Sequence, residues 1–190
     1  MEALTSIFSA FGLSASAGLN AYIPLLTVGL LARYTDLIKL GKPWDTLSDP
    51  WVLGLLVVLS LIEFFADKIP AINHFNDILQ SFVRPAAGAI AFAASAKVVS
   101  DVHPVMAMIA GILVAGSVHA VKSVAVRPAV TATTGGAGNI PVSIAEDVIS
   151  TALSILAVVI PVLIAMVVIL FTAWVVWRLW RSANRMQSAH

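Results

Sequence analysis

Three nearly uninterrupted apolar runs, Val52–Ile62, Val105–Val118 and Ile155–Trp177, limit what this chain can fold into more than any other feature. A membrane β-strand alternates apolar and polar residues over only about ten positions. These runs do not alternate, so they read as helices in an apolar solvent. Of the residues, 59% are hydrophobic and 11% charged, against about 45–50% and about 25% in ordinary globular domains. A soluble chain of 190 residues could not cover that much apolar surface. The expected fold is all-α, a polytopic transmembrane bundle forming a single domain over 1–190.

Seven apolar segments mark out the bundle: 4–17, 20–34, 51–68, 85–100, 104–125, 141–159 and 161–182. A crossing takes about 20 residues, so 4–17 and 20–34 are each too short. With Gly18-Leu19-Asn20 between them and Pro24 just beyond, they form either one broken helix or a re-entrant hairpin. Segments 141–159 and 161–182 flank Pro161 and are alternatively one long helix kinked there. Residues 35–50, with Gly41, Pro43 and Pro50, read as an aqueous loop. In 69–84, Ile72, Phe75, Ile78, Leu79 and Phe82 oppose Asn73, Asn76, Asp77 and Gln80. That periodicity predicts an amphipathic helix, lying in the interface or packed across the bundle.

Basic residues near span ends set orientation. Arg178, Arg181 and Arg185 are interleaved with Trp174, Trp177 and Trp180, and Arg33, Lys39 and Lys42 flank Trp44 and Trp51. Both groups are expected on the cytoplasmic side, with the C-terminus. Ala15-Ser16-Ala17 resembles a signal cleavage site, but Met1-Glu2 supplies no positive leader, so the first helix is expected to stay. The net charge of +1 excludes a basic nucleic-acid surface. The lack of cysteine excludes thiol chemistry.

Two stretches echo one another. Residues 14–24 (SASAGLNAYIP) and 131–141 (TATTGGAGNIP) each run through small and hydroxyl residues to Gly, then Asn, then Ile-Pro. Val83-Arg84-Pro85-Ala86 similarly echoes Val126-Arg127-Pro128-Ala129. Transporters built as inverted repeats place such broken helices at a midplane site; chance likeness in a small-residue background is the competing explanation. Helices starting at Asn20 and Asn139 would present free N–H groups and positive dipole ends to an anion or polar solute. The run Gly135–Gly138 lacks the Lys-Ser/Thr of a nucleotide loop.

Charged residues inside apolar segments point to the working part. Glu63 and Asp67 lie four apart with Lys68 adjacent, His119 and Lys122 three apart before Arg127, and Glu146 and Asp147 open segment 141–159. Ser143, Asp147, Ser150 and Ser154 form a polar stripe on one face. A charge at the bilayer centre costs about 2.5–3.5 kcal/mol on insertion scales, so these groups face one another or a wet cavity. The expected pathway residues are Asn20, Glu63, Asp67, His119, Lys122, Arg127, Asn139, Glu146 and Asp147, with Lys68, Arg84 and Asp77 balancing charge. The simpler alternative places several of them at helix ends in headgroup water. His74 and Asp77 are three apart, but no further His or Cys stands at ligand spacing, so no metal site is expected. No nucleophile elbow or zincin motif occurs, and neither catalytic residues nor a cofactor is expected. The small residues of 85–100, with Gly111, Ala115 and Gly116, predict a tight helix crossing or a dimer seam.

Five motifs carry a resemblance: Gly18-Leu19-Asn20-Ala21-Tyr22-x-Pro24-Leu25-Leu26 with Gly29–Arg33, Glu63-Phe64-x-Ala66-Asp67-Lys68-Ile69-Pro70, Phe82-Val83-Arg84-Pro85-x-Ala87-Gly88, His119-Ala120-x-Lys122, and Ser143-x-Ala145-Glu146-Asp147. In this order they resemble a family of small bacterial membrane proteins known only as a domain of unknown function. The resemblance implies a bacterial inner-membrane protein and supplies neither substrate nor activity. Its motifs fall on the polar residues singled out above. The expected function is a small transporter or channel-like protein for an ion or polar solute, working as a homo-oligomer in the bilayer. The alternative is a non-transporting factor that binds lipid headgroups or a partner protein, and an intramembrane enzyme ranks last.

Overall fold

A computed structural model of the chain describes residues 2–96, 102–160, 167, 169–178 and 181. The elements are α1 (Glu2–Leu19), α2 (Tyr22–Tyr34), a 3-10 turn (Trp44–Ser48), α3 (Pro50–Ala66), α4 (Pro70–Ala96), α5 (Pro104–Ala120), a π segment (Val121–Val126), α6 (Arg127–Thr134) and α7 (Asn139–Val159), with no strand among the described residues. Asn76–Ala96, Pro104–Thr134 and Asn139–Val159 are long and apolar enough to cross a membrane; Ser6–Leu19, Tyr22–Tyr34, Pro50–Ala66 and Ile169–Arg178 are apolar but shorter. The chain is thus a membrane-type helical protein in which α1, α2 and α3 are part-length.

Burial runs opposite to that of a water-soluble domain. Leu61, Ile62, Phe65, Phe82 and Leu113 are exposed, while Arg84 and Glu63 are 0% and 1% exposed. Only an apolar solvent reconciles these two facts, because an uncovered patch of this kind is unstable in water and lipid has no partners for a charge.

This inversion favours the second of the two placements expected for 69–84, packed across the bundle. The helix is present, but its polar face turns inward: Asn76, Gln80 and Arg84 are buried at four-residue spacing, while Ile78, Leu79 and Phe82 are exposed. It also does not end at Pro85, which lies inside α4. Segments 69–84 and 85–100 therefore merge, over Pro70–Ala96, into one helix. Membrane helices tolerate an internal proline where neighbours pack closely, and here the Pro85 ring faces Gly116, whose added Cβ would stand 3.8 Å from Pro85 Cγ. Beyond Pro85 the buried residues are small apart from Phe92, with Ala87, Gly88, Ala91 and Ala94 among them.

The small residues make the centre of the bundle. Ser14 donates between the carbonyls of Gly111 (2.9 Å) and Gly88 (3.2 Å), tying α1 to α4 and α5. Nearby, Phe11 meets Phe92 edge-on at 5.0 Å. On its other side α1 meets α7 through hydroxyls: Ser16 Oγ lies 2.7 Å from both Ser150 Oγ and Ser154 Oγ. The stripe expected on segment 141–159 is indeed an inward stripe, with Ser143, Asp147, Ser150 and Ser154 all buried.

Two further boundaries differ from expectation. Segment 104–125 continues through the π segment into α6, so Thr131–Thr134 are helical. Residues 35–50 are not simply an aqueous loop, because Leu47 is buried and Trp44, Ile38 and Leu40 pack on the core. These four fold back on the bundle, while Leu37, Lys39 and Lys42 stay exposed. Pro161 and most of segment 161–182 lie outside the described residues.

A Cβ at Gly111 would collide with the backbone of Gly88 and Ala89, whereas one at Gly54 meets nothing within 4 Å. Gly111→Ala is expected to destabilise by about 1–3 kcal/mol and Gly54→Ala, with open space inside α3, to be neutral or to stabilise by up to about 1 kcal/mol. Unfolding in mixed micelles measures both, and equal costs at the two sites would dismiss close approach as the reason.

Candidate functional site

The charges expected to cluster do so. Glu63 and Asp67 at the end of α3, Arg84 on α4, Lys122 in the π segment, Arg127 at the start of α6, and Glu146 and Asp147 on α7 are all buried. They meet at the break between α1 and α2. Lys68, with a side chain 14% exposed, completes the set at its rim by bonding Asp147 at 3.0 Å.

The break explains why charges are needed there. Each helix end leaves unpaired backbone groups, and no lipid group can satisfy them. Lys122 Nζ donates to the Leu19 carbonyl at the end of α1 (3.1 Å). The Ala21 N–H, entering α2, donates to Glu63 Oε2 (3.1 Å). Each charge has the sign that its helix dipole favours. Asn20 caps α2 by accepting from the N–H groups of Tyr22 (3.2 Å) and Ile23 (3.1 Å), and its amide donates to Asp147 Oδ1 (3.0 Å). The N–H groups expected to face a solute are thus filled by Glu63 and Asn20.

Glu63 receives Arg84 Nη2 at 2.9 Å and Nε at 3.2 Å. Glu146 Oε2 receives Lys122 at 2.9 Å and Arg127 at 3.0 Å. Asp67 lies between these pairs, with Oδ1 taking the Asn76 amide at 2.7 Å. Its Oδ2 faces Arg127 at 3.2 Å, Lys122 at 3.5 Å and Arg84 at 3.6 Å. Four carboxylates (Glu63, Asp67, Glu146, Asp147) thereby meet four bases (Lys68, Arg84, Lys122, Arg127), a formal balance of zero.

His119, one of the expected pathway residues, is held through both ring nitrogens. Its Nδ1 lies 3.1 Å from Arg84 Nη1, and a guanidinium only donates. Nδ1 must therefore accept, which leaves the proton on Nε2, 3.2 Å from the Ser81 hydroxyl. His119 is a neutral brace for Arg84 in this arrangement.

The π segment brings Arg127 into the site. Ala107, Gly111, Ala115, His119 and Lys122 are buried in α-helical rhythm, and the next buried residue with a long side chain is Arg127, five positions on. In an α-helix five residues overshoot a turn by about 1.4 residues, roughly 140°. The wider π turn removes most of that overshoot and keeps Arg127 beside Lys122.

Asn139 is not brought to the cluster. Its amide donates to Thr131 Oγ1 (2.9 Å) in the turn between α6 and α7, where Gly135 and Gly136 adopt φ of 63° and 92°. Asp77 stands half-buried at the edge, its carbonyl accepting from Ser81. The His74 side chain lies outside the described residues, among which no group of three His, Cys, Asp or Glu could hold a metal. Asn76, Gln80 and Ser81 were missed as site residues. For Asn76 and Gln80 the signal was the polar face of α4, continuous with Arg84 at four-residue spacing; Ser81 gave none.

Removing one partner of a buried pair costs about 3–5 kcal/mol. Arg84→Met should therefore destabilise by about that much, and adding Glu63→Gln should recover part of the loss. Denaturation of the single and double variants in micelles tests this, and strict additivity would mean that the pair is uncoupled.

A family model described as Domain of unknown function (DUF4126) matches residues 7–181. No curated protein and no solved structure matches the chain.

Proposed function

The chain belongs to this family of unknown function, and from the geometry of the buried ions we propose that it is a small transporter or channel-like protein. It moves an ion or a small polar solute through the centre of the bundle. One observation carries the reading: eight charged side chains sum to zero inside an apolar bundle, at the point where α1 and α3 end and α2 begins. Replacing a buried ion pair by well-packed apolar residues is often neutral or stabilising by about 1–4 kcal/mol. Holding eight such groups therefore favours a use beyond stability.

Exposure rises from the floor to the rim. The Arg84–Glu63 side chains are 0% and 1% exposed, and the Lys68–Asp147 pair 14% and 12%. In this reading the conformation is closed and Lys68–Asp147 is the outer gate. α1 and α2 act as a re-entrant hairpin with Asn20 at its apex, and Glu63, Asp67, Glu146 and Asp147 exchange partners as the solute passes. We place the protein in the bacterial inner membrane, non-enzymatic, with a cytoplasmic C-terminus and working as a homo-oligomer.

A second reading has one observation of its own. Arg178 lies over Trp174 at 5.4 Å and Arg181 over Trp177 at 5.1 Å, a pattern that suits anionic headgroups. A non-transporting factor would use that surface and keep the ion cluster as a static clamp.

Flux through protein reconstituted in vesicles separates the two. Asp67→Asn and Asp147→Asn should each reduce flux at least about tenfold, or ~1.4 kcal/mol in barrier, while circular dichroism shows the variants folded. Unchanged flux in both would remove the cluster from the mechanism.

A further inference from the structure

Asp67 differs from the other carboxylates in how it is held. Arg84, Lys122 and Arg127 each have a tighter partner elsewhere, at 2.9, 2.9 and 3.0 Å. All three also point at Asp67 Oδ2, at 3.6, 3.5 and 3.2 Å. These distances exceed those of close charge-assisted bonds, about 2.7–2.9 Å. Asp67 therefore occupies the focus of three cations without closing tightly on any of them. It caps α3 on the short connector before α4, and among the described residues its other oxygen is held by the neutral Asn76 amide alone.

A second observation points to a ligand at the same place. Gln80 Oε1 and Ser143 Oγ are buried, with residues 3% and 0% exposed, and neither has a hydrogen-bond partner among the described residues. Gln80 lies one turn from both Asn76 and Arg84 on α4, on the face that reaches Asp67. Ser143 lies one turn before Glu146 and Asp147 on α7. Buried polar groups are nearly always paired in native structures, so two unpaired oxygens, each one helical turn from residues of the cluster, suit a polar guest.

We propose that Arg84, Lys122 and Arg127 form a binding site for a small carboxylate anion, and that Asp67 is its tethered stand-in. The guest's carboxylate takes the position of Oδ2 when Asp67 swings away, keeping the three cations compensated throughout. Resting on the transport reading, this identifies the solute class as a small organic carboxylate.

The test is chemical rescue. Asp67→Ala leaves the cations without their shared anion, and formate or acetate should fill the gap. Purified Asp67→Ala in detergent should melt roughly 3 °C higher in formate or acetate than in chloride of equal ionic strength; wild type, with its own carboxylate in place, should shift less. A folded variant that gains no more from the carboxylates than from chloride overturns the proposal. If Asp67→Ala does not fold, wild type decides through saturation transfer to acetate. Transfer that Arg127→Gln abolishes supports the site, and no transfer overturns it. Flux without carboxylate binding would leave transport standing and sink the carboxylate site. Carboxylate binding without flux would do the reverse.

Discussion

Lys122 and Glu63 meet the two backbone ends at the α1–α2 break, and the rest of the arrangement depends on these contacts. A helix that stops inside an apolar solvent presents carbonyls or N–H groups that nothing outside the protein can pair. Here an ammonium covers the end of α1 and a carboxylate covers the start of α2. Each cap is itself an ion that must be neutralised, so Arg84 is drawn to Glu63 and Glu146 to Lys122. Arg127 and Asp67 then complete the balance. The network is the chain of obligations that follows from ending helices away from water.

The same solvent decides which faces turn inward. On α4 a polar face precedes Pro85 and a small-residue face follows it, and both are buried on one continuous stripe. The polar half reaches the ions, and the small half lets α1 and α5 approach closely enough for Ser14 to bridge two backbones. One helix therefore serves as both wall of the site and core of the bundle.

Much of this was legible in the sequence for a definite reason. In an apolar solvent a charge has few places to go, so Glu63, Asp67, Lys122, Arg127, Glu146 and Asp147 could be grouped before any fold was known. The serine stripe on 141–159 followed from the same logic. Periodicity alone could not orient 69–84, because an amphipathic helix has the same spacing whether water or lipid lies outside. Asn139 was matched to Asn20 through local likeness, yet local sequence sets turn chemistry and not depth in the bundle. The π turn had no signal except the five-residue step from Lys122 to Arg127, which reads as an off-face pair in an α-helix.

The position of Asp147 in the chain carries a consequence for biogenesis. Synthesis proceeds from the N-terminus, and Arg84 follows its partner Glu63 by only 21 residues, so that bond can close early. Asp67 waits for Lys122 and Arg127, 55 and 60 residues downstream. Lys68 and Asn20 wait longer still for Asp147, 79 and 127 residues away. The first-made helices thus hold incomplete polar interiors until α7 leaves the ribosome, and the late-arriving segment latches the early ones.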